Sequence, residues 1–317
     1  MKQFDMLTFG EAMGMFMANT KGNLSKVKEF TKELAGAETN VSIGMARLGF
    51  NVAWLSKVGI DPIGTYIIEE LQKEKVNISL IKRDSEKLTG FQLKEKVEAG
   101  DPFVQYYRSF SAANQMSCED FPELAQITAR HYHMTGIPLA LSNPVRELAE
   151  HILKKAKTEG KTISFDPNLR PSLWKNEKEM ISVIQSFACR ADWLFPGISE
   201  GALLTGFQEP KDIAAYYLDK GVGLVVIKLG KEGAYVATQQ ENGIVPGIKV
   251  ERVADTVGAG DGFAVGVISG LFDGLSYFEA VQRANAIGAL AVMSAGDKEG
   301  LPTRTELEQF MKRGAVV

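Results

Sequence analysis

The chain has 317 residues, 45% of them hydrophobic, so it is long enough to bury a large core and disorder is not expected. Its 36 basic and 39 acidic residues are interspersed and give a net charge of -3, which argues against nucleic-acid or membrane binding and favours small-molecule partners. Cys118 and Cys189, the only cysteines, are far apart in sequence and suggest neither a disulfide framework nor a zinc site. Asp5 interrupts the apolar start and no apolar run reaches membrane-spanning length, so we expect a cytoplasmic protein.

Apolar runs and helical spacings alternate along most of the chain, which is typical of an α/β fold. Strands are predicted over 6–9, 13–16, 52–58, 131–135, 162–165, 193–195, 224–228 and within 233–253. Helices are predicted over 41–48, 61–71, 144–158, 178–190, 199–204, 211–220, 258–274, 278–295 and 304–312. We therefore expect one doubly wound domain over residues 1–317, without internal repeats.

One stretch departs from this alternation. Residues 90–97 and 103–108 have strand character around a Gly100-Asp101-Pro102 turn, and no helix follows them directly. Strand-like pieces near residues 13–34 are candidates to pair with this hairpin. We expect these parts, about 12–36 and 89–110, to form a small β lid over an active site.

The most informative segment is the glycine-rich turn within Asp255–Ala264. Apolar spacing after it predicts a helix that begins near Gly258 and ends at Gly274. Glycines at 258 and 260 let a ligand approach the backbone, and the free amides and helix dipole there favour an anion. A carboxylate at Asp261 would repel a static phosphate but could take a proton from a hydroxyl that attacks it. The alternative is an ordinary buried helix whose glycines allow close packing.

Several other polar residues follow predicted strands, where ligands gather in doubly wound sheets. Asp166 and Asn168 are oxygen ligands suited to Mg²⁺, although a capping turn explains them equally well. Arg170 and Arg108 could grip a carboxylate or phosphate, and the alternative for Arg108 is a solvated arginine at a strand edge. Tyr106 should share a strand face with Arg108, with Tyr107 on the other face.

Two further turns are less specific. Lys228 and the glycines at 230 and 233 suit a tight turn beside a nucleotide, but also a plain hairpin. Glu200, after the strand at 193–195, could lie near a metal or simply begin a helix.

Taken together, these motifs resemble the ribokinase-like (PfkB-type) sugar kinases over essentially the full chain. The C-terminal signature Asp-Thr-x-Gly-Ala-Gly-Asp is present without a gap at 255–261. The N-terminal signature matches at Gly36, Asn40 and Leu48-Gly49, with Ala35 where the family has its first glycine. The resemblance implies a doubly wound, mainly parallel α/β sheet with helices on both faces and a small β lid.

The resemblance also implies ATP and Mg²⁺ as cofactors, with K⁺ as a candidate monovalent cation. It implies a base at Asp261 and an anion hole at Gly258, Ala259, Gly260 and Asp261. The implied substrate-binding residues are Gly36, Asn40, Phe91, Tyr106, Arg108, Arg170 and Asp261. The implied cofactor-binding residues are Asn168, Ser199, Lys228, Gly230, Gly233, Gly258, Gly260 and Asn285. The implied metal ligands are Asp166 and Glu200, with Gly197 where the family has asparagine.

Within the family, the sequence looks most like the branch that phosphorylates the 6-hydroxyl of 2-keto-3-deoxygluconate. The segments that carry this likeness are Gly10-Glu11, Gly36–Asn40, Tyr106–Arg108, Asp166–Pro171 and Gly300–Thr303. Two arginines would balance the carboxylate of an acid sugar, where a neutral sugar needs neither. The alternatives are a fructokinase or other neutral-sugar kinase, and a sensor that binds without turnover. Because an exposed lid edge invites pairing, we also expect a homo-oligomer formed through the lid.

Overall fold

The computed structural model describes residues 2–97, 102–294 and 296–314. Part of the predicted Gly100-Asp101-Pro102 turn and the last residue of the helix predicted over 278–295 lie outside them. The strands are β1 (Lys2–Phe9), β2 (Met13–Ala18), β3 (Phe30–Ala35), β4 (Val52–Gly59), β5 (Asn77–Asp84), β6 (Phe91–Lys94), β7 (Val104–Tyr107), β8 (Ile127–Thr135), β9 (Thr162–Asp166), β10 (Trp193–Leu194), β11 (Leu224–Lys228), β12 (Gly233–Ala237) and β13 (Asn242–Pro246). The helices are α1 (Ala37–Arg47), α2 (Pro62–Lys73), α3 (Gly136–Leu141), α4 (Asn143–Thr158), α5 (Glu177–Ala188), α6 (Ile198–Thr205), α7 (Pro210–Leu218), α8 (Ala259–Phe272), α9 (Tyr277–Val292) and α10 (Arg304–Gly314).

Nine strands form the larger sheet, in the order β13-β12-β11-β10-β9-β8-β1-β4-β5. All neighbours from β11 to β5 are parallel, whereas β12 and β13 pair antiparallel at one edge. Side chains alternate between the two faces along each strand. In β11, Val225 and Ile227 enter one apolar cluster, and Leu224 and Val226 enter the other.

Helices cover both faces of this sheet. The helices α4, α5 and α7 contribute to one apolar cluster, and α1, α2, α8, α9 and α10 contribute to the other. A parallel sheet is stable in water only when both faces are covered in this way. The predicted ribokinase-like α/β architecture is confirmed. No helix of the described residues is long and apolar enough to cross a membrane.

A second sheet of four strands lies beside the larger one, in the order β3-β2-β6-β7. The pairing of β2 with β6 is parallel and joins two distant parts of the chain, while the outer pairs are antiparallel. All four strands fall within the segments that the sequence predicts as the lid. We call this element the small sheet.

Some elements differ from the predictions. The edge strand β5 was not expected, because it buries little and gives no apolar run. The six-residue α3, capped by Thr135, was also missed. The region 233–253 is strand only as far as Pro246. The helix predicted to reach 295 ends at Val292, whose carbonyl accepts the amide of Ala254 at 2.7 Å.

Candidate active site

The glycine-rich turn lies at the start of α8, as predicted. Gly258 precedes the helix with φ +79°, a conformation that favours glycine, and an added Cβ would lie 2.2 Å from the carbonyl oxygen of Asp297. No side chain of the described residues caps α8, so its first-turn amides have no side-chain acceptor. We call residues 258–261 the anion turn. The amides of the turn and the positive end of the helix dipole provide a place for a phosphoryl group, and the amide of Ala259 also donates to the carbonyl of Thr256 at 3.5 Å.

Asp261 lies in this turn and is only 9% exposed. Its Oδ2 accepts a hydrogen bond of 2.8 Å from the side-chain amide of Asn40. Burial raises the pKa of Asp261 to about 7, against the opposing effects of Asn40 and Arg170. A carboxylate with a pKa near neutrality is well suited to act as a general base at physiological pH.

The contact between Asn40 and Asp261 is set by the packing of α1 against α8. An added Cβ at Gly44 would lie 2.6 Å from Val265, so the glycine allows the two helices to approach closely. At the start of α1, Gly36 has φ +143°, and an added Cβ there would lie 2.7 Å from the carbonyl oxygen of Glu11. The two predicted signatures therefore meet in one site although they lie far apart in sequence.

A cavity of about 340 Å³ opens in front of Asp261 and extends to the small sheet. It joins most of the residues predicted from sequence. Those that line it are Gly36, Asn40, Tyr106, Arg108, Asp166, Asn168, Arg170, Glu200, Lys228, Gly258, Gly260 and Asp261. The unpaired Oδ1 of Asn40 is buried here, with no partner among the described residues.

At one end of the cavity, Lys228 Nζ lies 2.7 Å from Asp166 Oδ2. Burial alone would lower the pKa of Lys228, but Asp166 raises it above its usual value, so the ammonium form persists. Glu200 accepts backbone amides with both oxygens, from Leu169 and Gly197, each at 2.7 Å. A permanent cation thus lies beside the two acids predicted to bind metal.

Among the described residues, no three His, Cys, Asp or Glu side chains form a metal cluster. Asp166 and Glu200 are therefore not part of a protein cage for a cation. Mg²⁺ in phosphoryl-transfer sites is usually held by one or two carboxylates together with phosphates and water. The pair Asp166 and Glu200, near Lys228 and the anion turn, fits that donor set.

The other end of the cavity contains a buried ion pair that the sequence did not reveal. Arg108 donates from Nε to Glu11 Oε2 at 2.7 Å, and its Nη2 lies 2.6 Å from the same oxygen. Ser111 Oγ donates to Glu11 Oε1 at 2.5 Å. Glu11 therefore compensates the charge of Arg108. The role of Arg108 in binding a substrate carboxylate together with Arg170 stays a prediction, and the structure adds that its charge is already balanced.

Arg170 is exposed and donates to the carbonyl of Leu169 at 2.9 Å. In the described part of the chain it has no acidic partner within ion-pair distance. Arg170 is therefore a cation of the cavity lining that is available to a negatively charged ligand.

Glu38 was not predicted to be a site residue, but it also lines the cavity. Its carboxyl accepts a hydrogen bond from the hydroxyl of Thr135, and Oε2 has no partner among the described atoms. Burial raises the pKa of Glu38 to about 7. Glu11, Gln92, Lys94 and Asp297 line the cavity too, and only Glu11 lay in a segment that the sequence comparison with the family had marked.

Six predicted residues do not line the cavity: Phe91, Ser199, Gly230, Gly233, Ala259 and Asn285. Phe91 lies on the other face of the small sheet, where its ring stacks on Tyr107 at 4.6 Å. The neighbours Gln92 and Lys94 take the cavity face, since strand side chains alternate. The prediction that Phe91 packs on the substrate is thus not supported by its position.

The other five are Ser199, Gly230, Gly233, Ala259 and Asn285, which are not part of the cavity lining. Asn285 donates to the carbonyls of Val245 and Pro246, at 3.2 and 2.9 Å, and so ties α9 to β13. Gly230 has φ +62° and Gly233 has φ +101°, both in the turn after β11. Their nucleotide-binding roles stay predictions.

Comparison with known proteins agrees with the resemblance drawn from the sequence motifs. The profile described as pfkB family carbohydrate kinase matches residues 3–304. The chain is 54% identical over 310 residues to the 2-dehydro-3-deoxygluconokinase of Bacillus subtilis, covering 98% of this chain and 96% of that protein.

Two solved structures are also similar. A PfkB protein from Polaromonas is 45% identical with a TM-score of 0.89, over 96% of this chain and 99% of that one. A ribokinase II from E. coli in complex with ATP and Mg²⁺ is 27% identical with a TM-score of 0.90, over 98% of this chain and 99% of that one. With the anion turn and Asp261 placed as described, the chain belongs to the pfkB family of carbohydrate kinases.

Proposed function

We propose that the protein transfers the γ-phosphoryl group of ATP to the 6-hydroxyl of 2-keto-3-deoxygluconate, also called 2-dehydro-3-deoxygluconate. The observation that carries this proposal is the buried Asp261 carboxylate among the amides of the anion turn, in a cavity that also holds Arg170. The name of the Bacillus subtilis relative and the ATP and Mg²⁺ of the E. coli structure support it.

The chemistry follows from the positions of these groups. Asp261, held by Asn40, takes the proton of the 6-hydroxyl, and the resulting oxygen attacks the γ-phosphorus in line. The bond to ADP breaks as the new one forms. The amides of the anion turn stabilise the charge that develops on the transferred group.

At the nucleotide end, Lys228 would contact the phosphates, and Asp166 and Glu200 would hold Mg²⁺ directly or through water. The metal, when bound, would neutralise part of the phosphate charge.

Arg170 is proposed to bind the substrate carboxylate, with Arg108 as a neutralised hydrogen-bond donor. A kinase of fructose or another neutral sugar is the second candidate, because compensation of Arg108 by Glu11 leaves only one arginine for an acid. Acid sugars and neutral sugars should therefore differ chiefly in whether their phosphorylation depends on Arg170.

A substrate panel tests this assignment. With ATP consumption as the readout, we expect keto-deoxygluconate to be strongly preferred over fructose and ribose.

Arg170→Met should raise KM for keto-deoxygluconate by about 10–100-fold, since a charge-assisted contact contributes about 1.5–3 kcal/mol. Its kcat should change much less. Lys175→Met, on the loop before α5, is the control. Preference for a neutral sugar, or an unchanged KM in Arg170→Met, would contradict the proposal.

We also propose that a second copy of the chain covers the outer face of the small sheet. This face carries Phe91 and Tyr107, and beside it Leu88 and Phe110 are 71% and 79% exposed. Exposed apolar side chains grouped in this way are typical of an interface.

The expected oligomer is tested by sedimentation. The wild-type chain should sediment as a dimer at micromolar concentration, and Leu88→Glu with Phe110→Glu should shift it to the monomer. Val253→Glu, at another exposed apolar residue, should leave the dimer intact. A monomeric wild-type chain would contradict this part of the proposal.

We place the enzyme in the cytoplasm, since the two free cysteines suit a reducing compartment.

A further inference from the structure

Lys94 is a buried cation that the proposed reaction does not use. It lies on the cavity face of β6, and its side chain is only 3% exposed. Its Nζ lies 2.7 Å from Asp255 Oδ2 and 3.6 Å from Asp297 Oδ1. Through Lys94 the small sheet thus contacts two acids that lie outside its own strands.

Both acids belong to segments that meet Gly258, the first residue of the anion turn. Asp255 Oδ1 accepts the amide of Val257 at 3.1 Å, just before Gly258. The carbonyl oxygen of Asp297 lies 2.2 Å from where a Cβ at Gly258 would be. A shift of either segment would therefore displace Gly258 and the amides that follow it.

The two acids also affect the charge of the site. Burial raises the pKa of Asp297 to about 6, and the charge of Asp255 adds to this, while Lys94 opposes both. Without a cation, two carboxylates would lie next to the turn that must accept a phosphoryl group. Their repulsion would both separate the segments and weaken anion binding.

We propose that Lys94 is a positioning residue, whose ammonium group holds residues 255–258 and 297 together around the anion turn and makes an added monovalent cation unnecessary. A small cation between the two acids would perform the same task, but this chain supplies one from the small sheet. The inference rests on the proposed kinase function, and it links the sheet that covers the sugar to the turn that receives the phosphoryl group.

The test compares Lys94→Met, Lys94→Ala and Lys94→Arg with the wild type. Lys96→Ala is the matched control, because Lys96 lies two residues along and is exposed, and among the described residues it donates only to the carbonyl of Asn19, at 3.2 Å. Turnover is measured in tetramethylammonium buffer, with and without added K⁺ or NH₄⁺. Hydrogen exchange of the peptide that covers 255–262 is measured without substrates.

We expect the wild type and Lys96→Ala to turn over at the same rate in all three salts. Lys94→Met should lose about 10–100-fold in kcat, since small displacements of a catalytic group have effects of this size, with both KM values within about threefold. Lys94→Ala should regain at least about fivefold in kcat with NH₄⁺, and Lys94→Arg should keep part of the activity. Exchange at 255–262 should be faster in Lys94→Met than in the control.

Three results would overturn the inference: a wild type that needs K⁺, a Lys94→Met variant with normal kcat, or Lys94→Ala without rescue by NH₄⁺. The dependence of wild-type turnover on K⁺ tests the inference even if a variant fails to fold. A wild type that phosphorylates no sugar would instead refute the proposed function, and the exchange comparison would still test Lys94.

Discussion

Replacing Asp261 by asparagine is expected to lower kcat by about 10³-fold while both KM values change only a few-fold. Asparagine has nearly the same shape and can keep a hydrogen bond with Asn40, which now holds Asp261 at 2.8 Å. It cannot take a proton from the sugar hydroxyl. Steady-state kinetics with keto-deoxygluconate and ATP measure the effect.

Asp219→Asn, at an exposed site after α7, is the control for an acid-to-amide change and should retain wild-type kinetics. Circular dichroism would show that both variants are folded. Near-normal turnover in folded Asp261→Asn would disprove the assignment of the base.

The pH dependence follows from the pKa of Asp261, which burial raises to about 7. In the free enzyme, kcat/KM should rise with pH up to about 7 and then level off, since only the ionised form acts as a base.

The contribution of Asp261 to the free energy of unfolding should change with pH in the opposite direction. Because the folded pKa exceeds the unfolded value, the contribution of Asp261 to stability falls as pH rises from about 4 to about 7.

Asp261→Asn should therefore be more stable than the wild type above pH 7, by on the order of 1–4 kcal/mol, with a smaller gain at pH 5. Urea unfolding at pH 5 and pH 8 measures this. A catalytic group that costs stability is expected in an active site. An equal effect of the substitution at both pH values would contradict the assigned shift.

The second large effect is expected at Arg108. Arg108→Met should lower the free energy of unfolding by about 3–5 kcal/mol, because it leaves the Glu11 carboxylate buried without its partner. The double variant Glu11→Gln with Arg108→Met should recover most of this loss, since neither charge then remains. Urea unfolding of the two single variants and the double variant gives the coupling energy directly.

An exposed pair is the control for Arg108. Arg190 lies 2.7 Å from Glu150, with both side chains about one-third exposed, and Arg190→Met should cost about 1 kcal/mol or less. If Arg108→Met and Arg190→Met had equal effects, the interpretation of Arg108 as half of a buried pair would fail.

The anion turn could be predicted because the residues that define it are neighbours in the sequence. Gly258, Gly260 and Asp261 lie within four residues, and the apolar spacing that follows them sets the start of α8. The positions of Asp166, at the end of β9, and of Glu200, in the first turn of α6 after β10, were predictable for a similar reason. In a parallel sheet the carboxyl ends of the strands converge, so polar residues after them share an edge.

The substrate end was harder to predict because it depends on register and on distant partners. Phe91 was assigned to the cavity, but side chains alternate between the two faces of β6, and Gln92 and Lys94 are on the cavity face instead. The partner of Arg108 is Glu11, 97 residues earlier, and no local pattern links them. The compensation of a cation by a distant acid is visible only in three dimensions.

The contact between Asn40 and Asp261 joins residues separated by 221 positions. Contacts of such long range are slow to form, because closing so long a loop costs conformational entropy before the contact is gained. During synthesis, which proceeds from the N-terminus, α1 and the small sheet emerge long before α8. The Arg108 end of the cavity is thus made first, Arg170 follows midway along the chain, and the base comes with the last third. Catalytic competence is among the last properties that the nascent enzyme acquires.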